Sequence, residues 1–256
     1  MATSGTDSAT TYILLIRHGE NDWVGENRLA GRTPGVYLND AGKNQSKRIA
    51  EALAKQELSA VYSSPMERCM QTARPVAEAH SLQVIEEPGV WEVDYGGWQG
   101  GSLKELSKSP EWQLVQHSPS SFRFPDGETL FEVQARGVST VERLRRQHPN
   151  QVIAIFSHGD VIRTTLAHYL GIPFDLFQRV LINTASISAI VFHGAVPRVL
   201  FTNHLTELPK FEFKKDESED ESAGAEAAQT GGSSAPGAEQ SGNGKQDGRP
   251  PSVEVL

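Results

Sequence analysis

The chain has one cysteine, Cys69, in 256 residues. A lone thiol excludes an internal disulfide framework and any zinc site built on cysteine pairs. Long apolar runs are missing too. Tyr12-Ile13-Leu14-Leu15-Ile16 stops at Arg17, far short of the roughly 20 residues of a membrane-spanning helix. Residues 1–10 are rich in Ser, Thr and Ala. They lack the basic flank and apolar stretch of a secretory leader. An excess of positive charge is absent: 24 bases stand against 32 acids, net −8. That balance does not suit nucleic acid or an anionic membrane. No internal repeat is present. These absences leave a soluble cytoplasmic protein as the expectation. At 38% hydrophobic residues, the chain has enough apolar surface for a core without covalent or metal staples.

The acidity is unevenly spread. Residues 212–256 hold ten acids and four bases, which leaves 22 acids and 20 bases in residues 1–211. The segment 212–256 is also rich in Gly, Ser, Ala, Gln and Pro and has few large apolar residues. Such a composition buries too little surface to offset its ordering entropy. The expected organisation is a flexible N-terminus over 1–10, a folded domain over 11–211 and a disordered acidic tail over 212–256. An acidic docking tail is the alternative, although charge runs usually only solvate.

Within 11–211 the pattern alternates. Tyr12–Ile16 reads as a buried parallel strand. Leu38-Asn39-Asp40 is an N-cap signal for a helix with Ile49, Ala50, Leu53 and Ala54 on one face. Ala60–Tyr62 is a second strand. A helix over Met66–His80 follows, with Pro65 at its first turn and a kink or break expected at Pro75. Leu82–Ile85 is a third strand. Gly127–His148 is a long helix with Leu130, Val133, Val141 and Leu144 on one side. Val152–Phe156, a helix over Asp160–Leu170, and strands Ile187–Phe192 and Val199–Phe201 complete the pattern. It predicts an α/β fold, a three-layer α/β/α sandwich around a mostly parallel sheet of about six strands. Ligands bind such sheets at the carboxyl ends of the strands.

Two strands end alike there. The first ends Arg17-His18-Gly19-Glu20 and the fourth Ser157-His158-Gly159-Asp160. One histidine at a strand end is as easily a satisfied structural residue. Two matching ones on neighbouring strands point to chemistry, and a glycine after each lets a backbone N–H approach a ligand.

These residues resemble the histidine phosphatase superfamily, the phosphoglycerate-mutase-like fold. Arg17-His18-Gly19-Glu20 matches its first signature. Ser63-Ser64-Pro65-Met66-Glu67-Arg68-Cys69-Met70-Gln71-Thr72-Ala73 is similar to its second arginine motif. Glu92-Val93-Asp94-Tyr95-Gly96-Gly97-Trp98-Gln99-Gly100 resembles the motif of its catalytic acid, and Ser157-His158-Gly159 its second histidine motif. The four appear in order across residues 12 to about 205. The resemblance implies that His18 is the nucleophile, forming a phosphohistidine. It implies that Arg17, Arg68, His158 and Gly159 hold the phosphoryl group, whose oxygens carry transition-state charge. Guanidinium forks suit that task. Glu92 would be the proton donor and then the base for water. Trp91, Tyr95 and Trp98 beside it would desolvate the carboxyl and raise its pKa. Asp94 competes for the role, and Gly96, four residues after Glu92, matches the family spacing. No metal is implied, and His18, His158 and His168 lack a metal-ligand spacing. A lowered thiol pKa for Cys69, next to Arg68, is open, beside the reading as a structural cysteine.

The resemblance also places Asn21, Val24, Ala30, Gly31 and Tyr95 around a substrate pocket. Val24 stands where family members usually carry a phosphate-contacting asparagine, and Asn21 is the residue able to replace it. In mutase members the phosphoryl group passes to a second hydroxyl, and a bisphosphorylated primer is needed. Those mutases carry adjacent arginines between the acid and the second histidine. Here residues 102–129 hold only Lys104, Lys108 and Arg123, and Arg145-Arg146 falls late in a helix. The reading is therefore a cofactor-free phosphatase for a small phosphorylated metabolite. A mutase is the alternative, and a non-catalytic phosphate-binding module a third. Trp98, Trp112, Phe122 and Phe124 suit either an aromatic pocket wall or core packing. Nothing in the sequence implies a particular oligomeric state.

Overall fold

The computed structural model describes residues 9–206. The flexible segment expected before Ala9, the domain limit at 211 and the expected tail over 212–256 lie outside these residues. The described elements in chain order are β1 (Thr10–Arg17), α1 (Asp22–Gly25), α2 (Asp40–Leu53), β2 (Leu58–Ser63), α3 (Glu67–Ala79), β3 (Val84–Glu86), α4 (Leu103–Leu106), α5 (Pro110–His117), α6 (Leu130–Gln147), β4 (Val152–Ser157), α7 (Gly159–Leu170), β5 (Ile187–His193) and β6 (Val196–His204). Short 3-10 turns cover Pro88–Val90, Gly96–Trp98, Pro119–Ser121 and Phe174–Arg179. No helix among the described residues is long and apolar enough to cross a membrane.

The sheet order is β3-β2-β4-β1-β5-β6. Side chains alternate across a strand, and both faces of the inner strands β1, β2, β4 and β5 are buried, whereas the edge strands β3 and β6 are largely exposed. Ile13 and Leu15 of β1, with Ile153 and Ile155 of β4, join Val141 and Leu144 of α6 and Ile162 and Leu166 of α7. Leu14, Ile16, Ala154 and Phe156 face the other way, onto Ile49 and Leu53 of α2 and Ala73 and Val76 of α3. Each such fully buried aliphatic chain contributes about 1.5–3 kcal/mol of transfer free energy. The expected three layers follow.

The sheet is mostly parallel, as the sequence suggests, and β5 is the strand that runs against the others. The neighbours β1–β4, β2–β4 and β2–β3 are parallel, whereas β1–β5 and β5–β6 are antiparallel. After α7 the chain doubles back through the turn Phe174–Arg179, so β5 starts at the His18 end, where Ala185 N donates to His18 O at 3.0 Å. Three local expectations change. Helix α3 runs through Pro75 without a break. Proline leaves the carbonyl of Gln71 without its usual donor, and Ser46 Oγ of α2 donates to it at 3.3 Å. Ala54 caps α2 and is exposed rather than lining its buried face. The segment 102–129, without an assigned element in the sequence pattern, carries α4 and α5.

Candidate active site

Strand register places the two histidines. Arg17 pairs with Ser157 in the parallel β1–β4 ladder, so the next residue of each strand leaves the sheet side by side. His18 N donates to Ser157 O at 3.0 Å, and the His18 and His158 rings lie 5.3 Å apart. Both are buried. His18 Nδ1 lies 2.8 Å from Gly19 O. A carbonyl only accepts, so Nδ1 carries the proton and the Nε2 lone pair is left for attack. Burial, then the charges of Arg68, His158 and Arg17, hold His18 well below the usual histidine range. Its imidazole is neutral near pH 7.

Arg68 lies in the first turn of α3, just beyond β2, and is fully buried. Its Nη2 donates to Gly31 O at 2.9 Å. The same nitrogen lies 3.1 Å from His158 Nδ1 and 3.4 Å from Glu92 Oε2. His158 Nδ1 and Glu92 Oε2 are 3.2 Å apart. Arg68 Nε and Nη1 are buried and have no hydrogen-bond partner among the described residues. Arg17 reaches the same pole and donates from Nη1 to Ile182 O at 2.8 Å. Gly159 opens α7 against it: a Cβ there would stand 3.4 Å from Arg17 Nε. The twelve-residue helix α7 thus points its positive end at the cluster.

The acid behaves differently from expectation. Burial pushes the Glu92 carboxyl up, but His158, Arg68 and the Val93 N–H at 2.9 Å outweigh it, and Glu92 sits well below the usual carboxylate range. The aromatic residues named beside it are engaged elsewhere. Tyr95 Oη donates to Asp160 Oδ2 at 2.9 Å. Trp91 Nε1 donates to Met66 Sδ at 2.9 Å. Trp98 packs on Trp112, Phe122 and Phe124, and Phe122 and Phe124 are buried in the core. Asp94 accepts from Gly96 N at 3.0 Å and is 38% exposed, whereas Glu92 lies inside the cluster. His158 is pushed down to about 4, by burial first, with Glu92 opposing and Arg68 reinforcing. Cys69 is fully buried, and burial pushes its thiol up. A lowered thiol pKa is therefore overturned.

The weaker pocket residues divide. Gly31 reaches the cluster through its carbonyl, and Tyr95 borders Gly31: a Cβ on Gly31 would meet the Tyr95 ring at 3.1 Å. Asn21 is fully buried and caps α1, accepting from Val24 N at 3.1 Å, while its Nδ2 has no partner among the described residues. Val24 and Ala30 are half-buried and join none of the five central residues by a hydrogen bond among the described residues. The sequence reading missed Ser64, whose Oγ is 2.8 Å from His158 Nε2. It missed Thr72, whose Oγ1 accepts from Gly19 N at 3.0 Å. It also missed Arg32 and Arg136, which donate to the Glu92 carbonyl, and Glu128, which accepts from Asp94 N. A serine beside the second strand's end was the one local signal; the others depend on distant chain segments.

His18, Glu92 and His158 offer ligand atoms within 4.8 Å of one another, all buried. Arg68 Nη2 already lies 3.1 Å from His158 Nδ1 and 3.4 Å from Glu92 Oε2, so a cation held by these atoms would stand close to a guanidinium. Like charges at that range repel strongly where water is excluded. The arrangement is built for an anion.

Comparison with known proteins agrees with this geometry. Residues 13–204 match the histidine phosphatase superfamily, branch 1. The chain is 33% identical over 203 residues to phosphoserine phosphatase 1 of Hydrogenobacter thermophilus, covering 76% of this chain and 94% of that protein. It is 34% identical over 157 residues to phosphoglycerate mutase-like protein 4 of Arabidopsis thaliana, covering 59% of this chain and 68% of that one. The structure of the Entamoeba histolytica phosphoserine phosphatase in complex with 3-phosphoglyceric acid superposes with a TM-score of 0.69 at 24% identity, covering 77% of this chain and 98% of that one; at that identity it speaks to the fold alone. With the motif residues gathered at one pole of the sheet and the match running through all six strands, the chain belongs to the histidine phosphatase superfamily, branch 1, and is an enzyme of the phosphatase class.

Proposed function

We propose that the protein is a metal-independent phosphomonoester hydrolase in which His18 is the nucleophile and Glu92 the proton donor. The observation that carries this is Arg68. A fully buried guanidinium whose Nε and Nη1 have no hydrogen-bond partner among the described residues is costly unless an anion completes it. It stands beside a neutral imidazole with a free Nε2. The phosphoryl group of the substrate sits between Arg17, Arg68, His158 and the amino end of α7. His18 Nε2 attacks phosphorus, the phosphorus–oxygen bond to the leaving group breaks, and Glu92 delivers a proton to that oxygen. Water then attacks the phosphohistidine while Glu92 takes a proton back, and phosphate leaves.

Glu92 is ionised in the empty site, so it takes up a proton from water as the substrate binds. A phosphate dianion offsets Arg17 and Arg68, and its negative charge raises the neighbouring carboxyl. The ligand, not an aromatic wall, makes Glu92 an acid.

Hydrolysis is favoured over transfer to a second hydroxyl because, among the described residues, no pair of adjacent arginines faces the site. Arg145 and Arg146 pair with Glu142. Arg145 also donates to Gly194 O, and Gly194 N bonds Ala9 O at the start of β1, the end of the sheet away from His18. Lys108 and Arg123 are exposed and paired with Glu105 and Glu132. The similarity to a phosphoserine phosphatase favours a small alkyl phosphate of that class. Phosphate release from phosphoserine, sugar phosphates and nucleotides should survive a chelator, and an acid-labile phosphohistidine should appear on wild type but not on His18→Ala. Conversion of 3- to 2-phosphoglycerate on addition of the bisphosphate, with no phosphate release, would instead make this a mutase.

A further inference from the structure

The acid sits where no helix or strand holds it. Residues 91–95 lie between the 3-10 turns Pro88–Val90 and Gly96–Trp98. Backbone polar groups in such a stretch still need partners, and side chains supply them. Glu92 O accepts from Arg32 Nε at 2.8 Å and from Arg136 Nη2 at 3.1 Å. Arg136 Nη1 donates to Trp91 O at 2.6 Å and Gly89 O at 3.1 Å. Both guanidiniums converge on one carboxylate. Glu128 accepts from Arg32 Nη2 at 2.9 Å, from Arg136 Nε at 3.0 Å and from Arg136 Nη2 at 3.1 Å. It also accepts from Asp94 N at 3.0 Å, while Glu128 N donates to Asp94 O at 2.9 Å.

We propose that Glu128 is a positioning residue for Glu92, aiming the acid through Arg32 and Arg136, which grip its main-chain carbonyl. The inference rests on the reading of Glu92 as the proton donor. The three side chains are mostly buried, at 19–23% exposure, so these ion pairs are screened less than surface ones. Arg136 binds Glu128 with a two-pronged fork, which fixes direction as well as distance. Arg32 adds a second tie. It follows Gly31, whose carbonyl holds Arg68, so one short loop touches both the phosphate-binding arginine and the acid's backbone.

A loss of aim has a signature that general loosening lacks. Proton donation matters greatly when the leaving group is an alkoxide and little when it is a nitrophenolate. The ratio kcat/KM, which covers steps up to phosphoryl transfer to His18, is therefore measured for an alkyl phosphate (phosphoserine or glycerol phosphate) and for 4-nitrophenyl phosphate. Glu92→Gln should lose about a hundredfold or more on the alkyl ester and far less on the aryl ester. Glu128→Gln and Arg32→Met should repeat the pattern on a smaller scale, about tenfold on the alkyl ester and under about threefold on the aryl ester, since small misplacements of a catalytic group are costly. Equal losses on both esters, or no loss, in these two variants would overturn the proposal. If Glu128→Gln does not fold, Arg32→Met, on a loop, decides alone. If Glu92→Gln shows no leaving-group selectivity, the acid assignment itself fails, and this inference with it.

Discussion

His18 is kept neutral by burial and by two neighbouring guanidiniums, and a neutral imidazole is what attack on phosphorus requires. The resulting expectation is that its ring stays unprotonated at pH 6.5. An NMR titration of ring nitrogens should show His18 still neutral there, and a midpoint at or above pH 6.5 would contradict the electrostatics. Glu92 and Asp94 are two residues apart, and geometry separates them. Glu92 contacts Arg68 and His158, while Asp94 bonds Gly96 N and leans on Arg32. In steady-state assays on an alkyl phosphate, Glu92→Gln should lower kcat roughly a hundredfold, and Asp94→Asn should cost far less. The reverse ranking would move the acid role to Asp94.

At the level of elements, the site depends on how helices begin. Helix α6 starts with a capping box: Thr129 Oγ1 accepts from Glu132 N at 3.2 Å, and Glu132 Oε2 accepts from Thr129 N at 2.7 Å. Thr129→Ala should cost about 1 kcal/mol in urea denaturation. Helix α2 meets the loop after His18 even more closely. A Cβ on Gly42 would stand 2.0 Å from Glu20 O, and backbone cannot yield there as a flexible side chain can. Gly42→Ala should destabilise by about 1–3 kcal/mol and lower activity as well, because the loop of His18 has to shift. Normal turnover in this variant would show that the loop tolerates displacement.

For the whole molecule, the buried histidines couple stability to pH. An unfolded histidine titrates near 6.5, whereas folded His158 titrates at about 4 and His18 also lies low. Between those values the unfolded chain binds more protons than the folded one, so stability falls as pH drops from 6.5 toward 4. Glu92, whose carboxyl is depressed when folded, adds a further loss below about pH 4.5, its ordinary value. The urea midpoint should therefore decline from pH 7 to 5, and the decline should shrink in His158→Gln. A flat profile would remove the linkage. Inorganic phosphate, binding only the folded form, should raise the melting temperature, by about 2.7 kcal/mol of stabilisation at a hundredfold excess over its dissociation constant.

What the sequence by itself determined is local. Apolar runs set the strands, Leu38-Asn39-Asp40 marked a helix start, the strand ends pointed to His18 and His158, and the resemblance of four short motifs to a known family added Arg17, Arg68 and Glu92, because motifs are read from contiguous residues. What only the tertiary structure decided depends on residues far apart in the chain. The β1–β4 register puts His18 beside His158, and the return of the chain after α7 turns β5 antiparallel. Ser46 of α2 reaches the carbonyl that Pro75 strands, so the expected break in α3 does not occur. The protonation of Glu92 is the sharpest case. Its aromatic neighbours in sequence suggested a raised pKa, but the groups that decide it are distant in the chain: His158 Nδ1 and Arg68 Nη2 stand 3.2 and 3.4 Å from its carboxylate. Glu128 and Arg136 follow the same rule: they carry no motif of their own, and only folding brings Arg136 to the Glu92 carbonyl and Glu128 to Asp94 N.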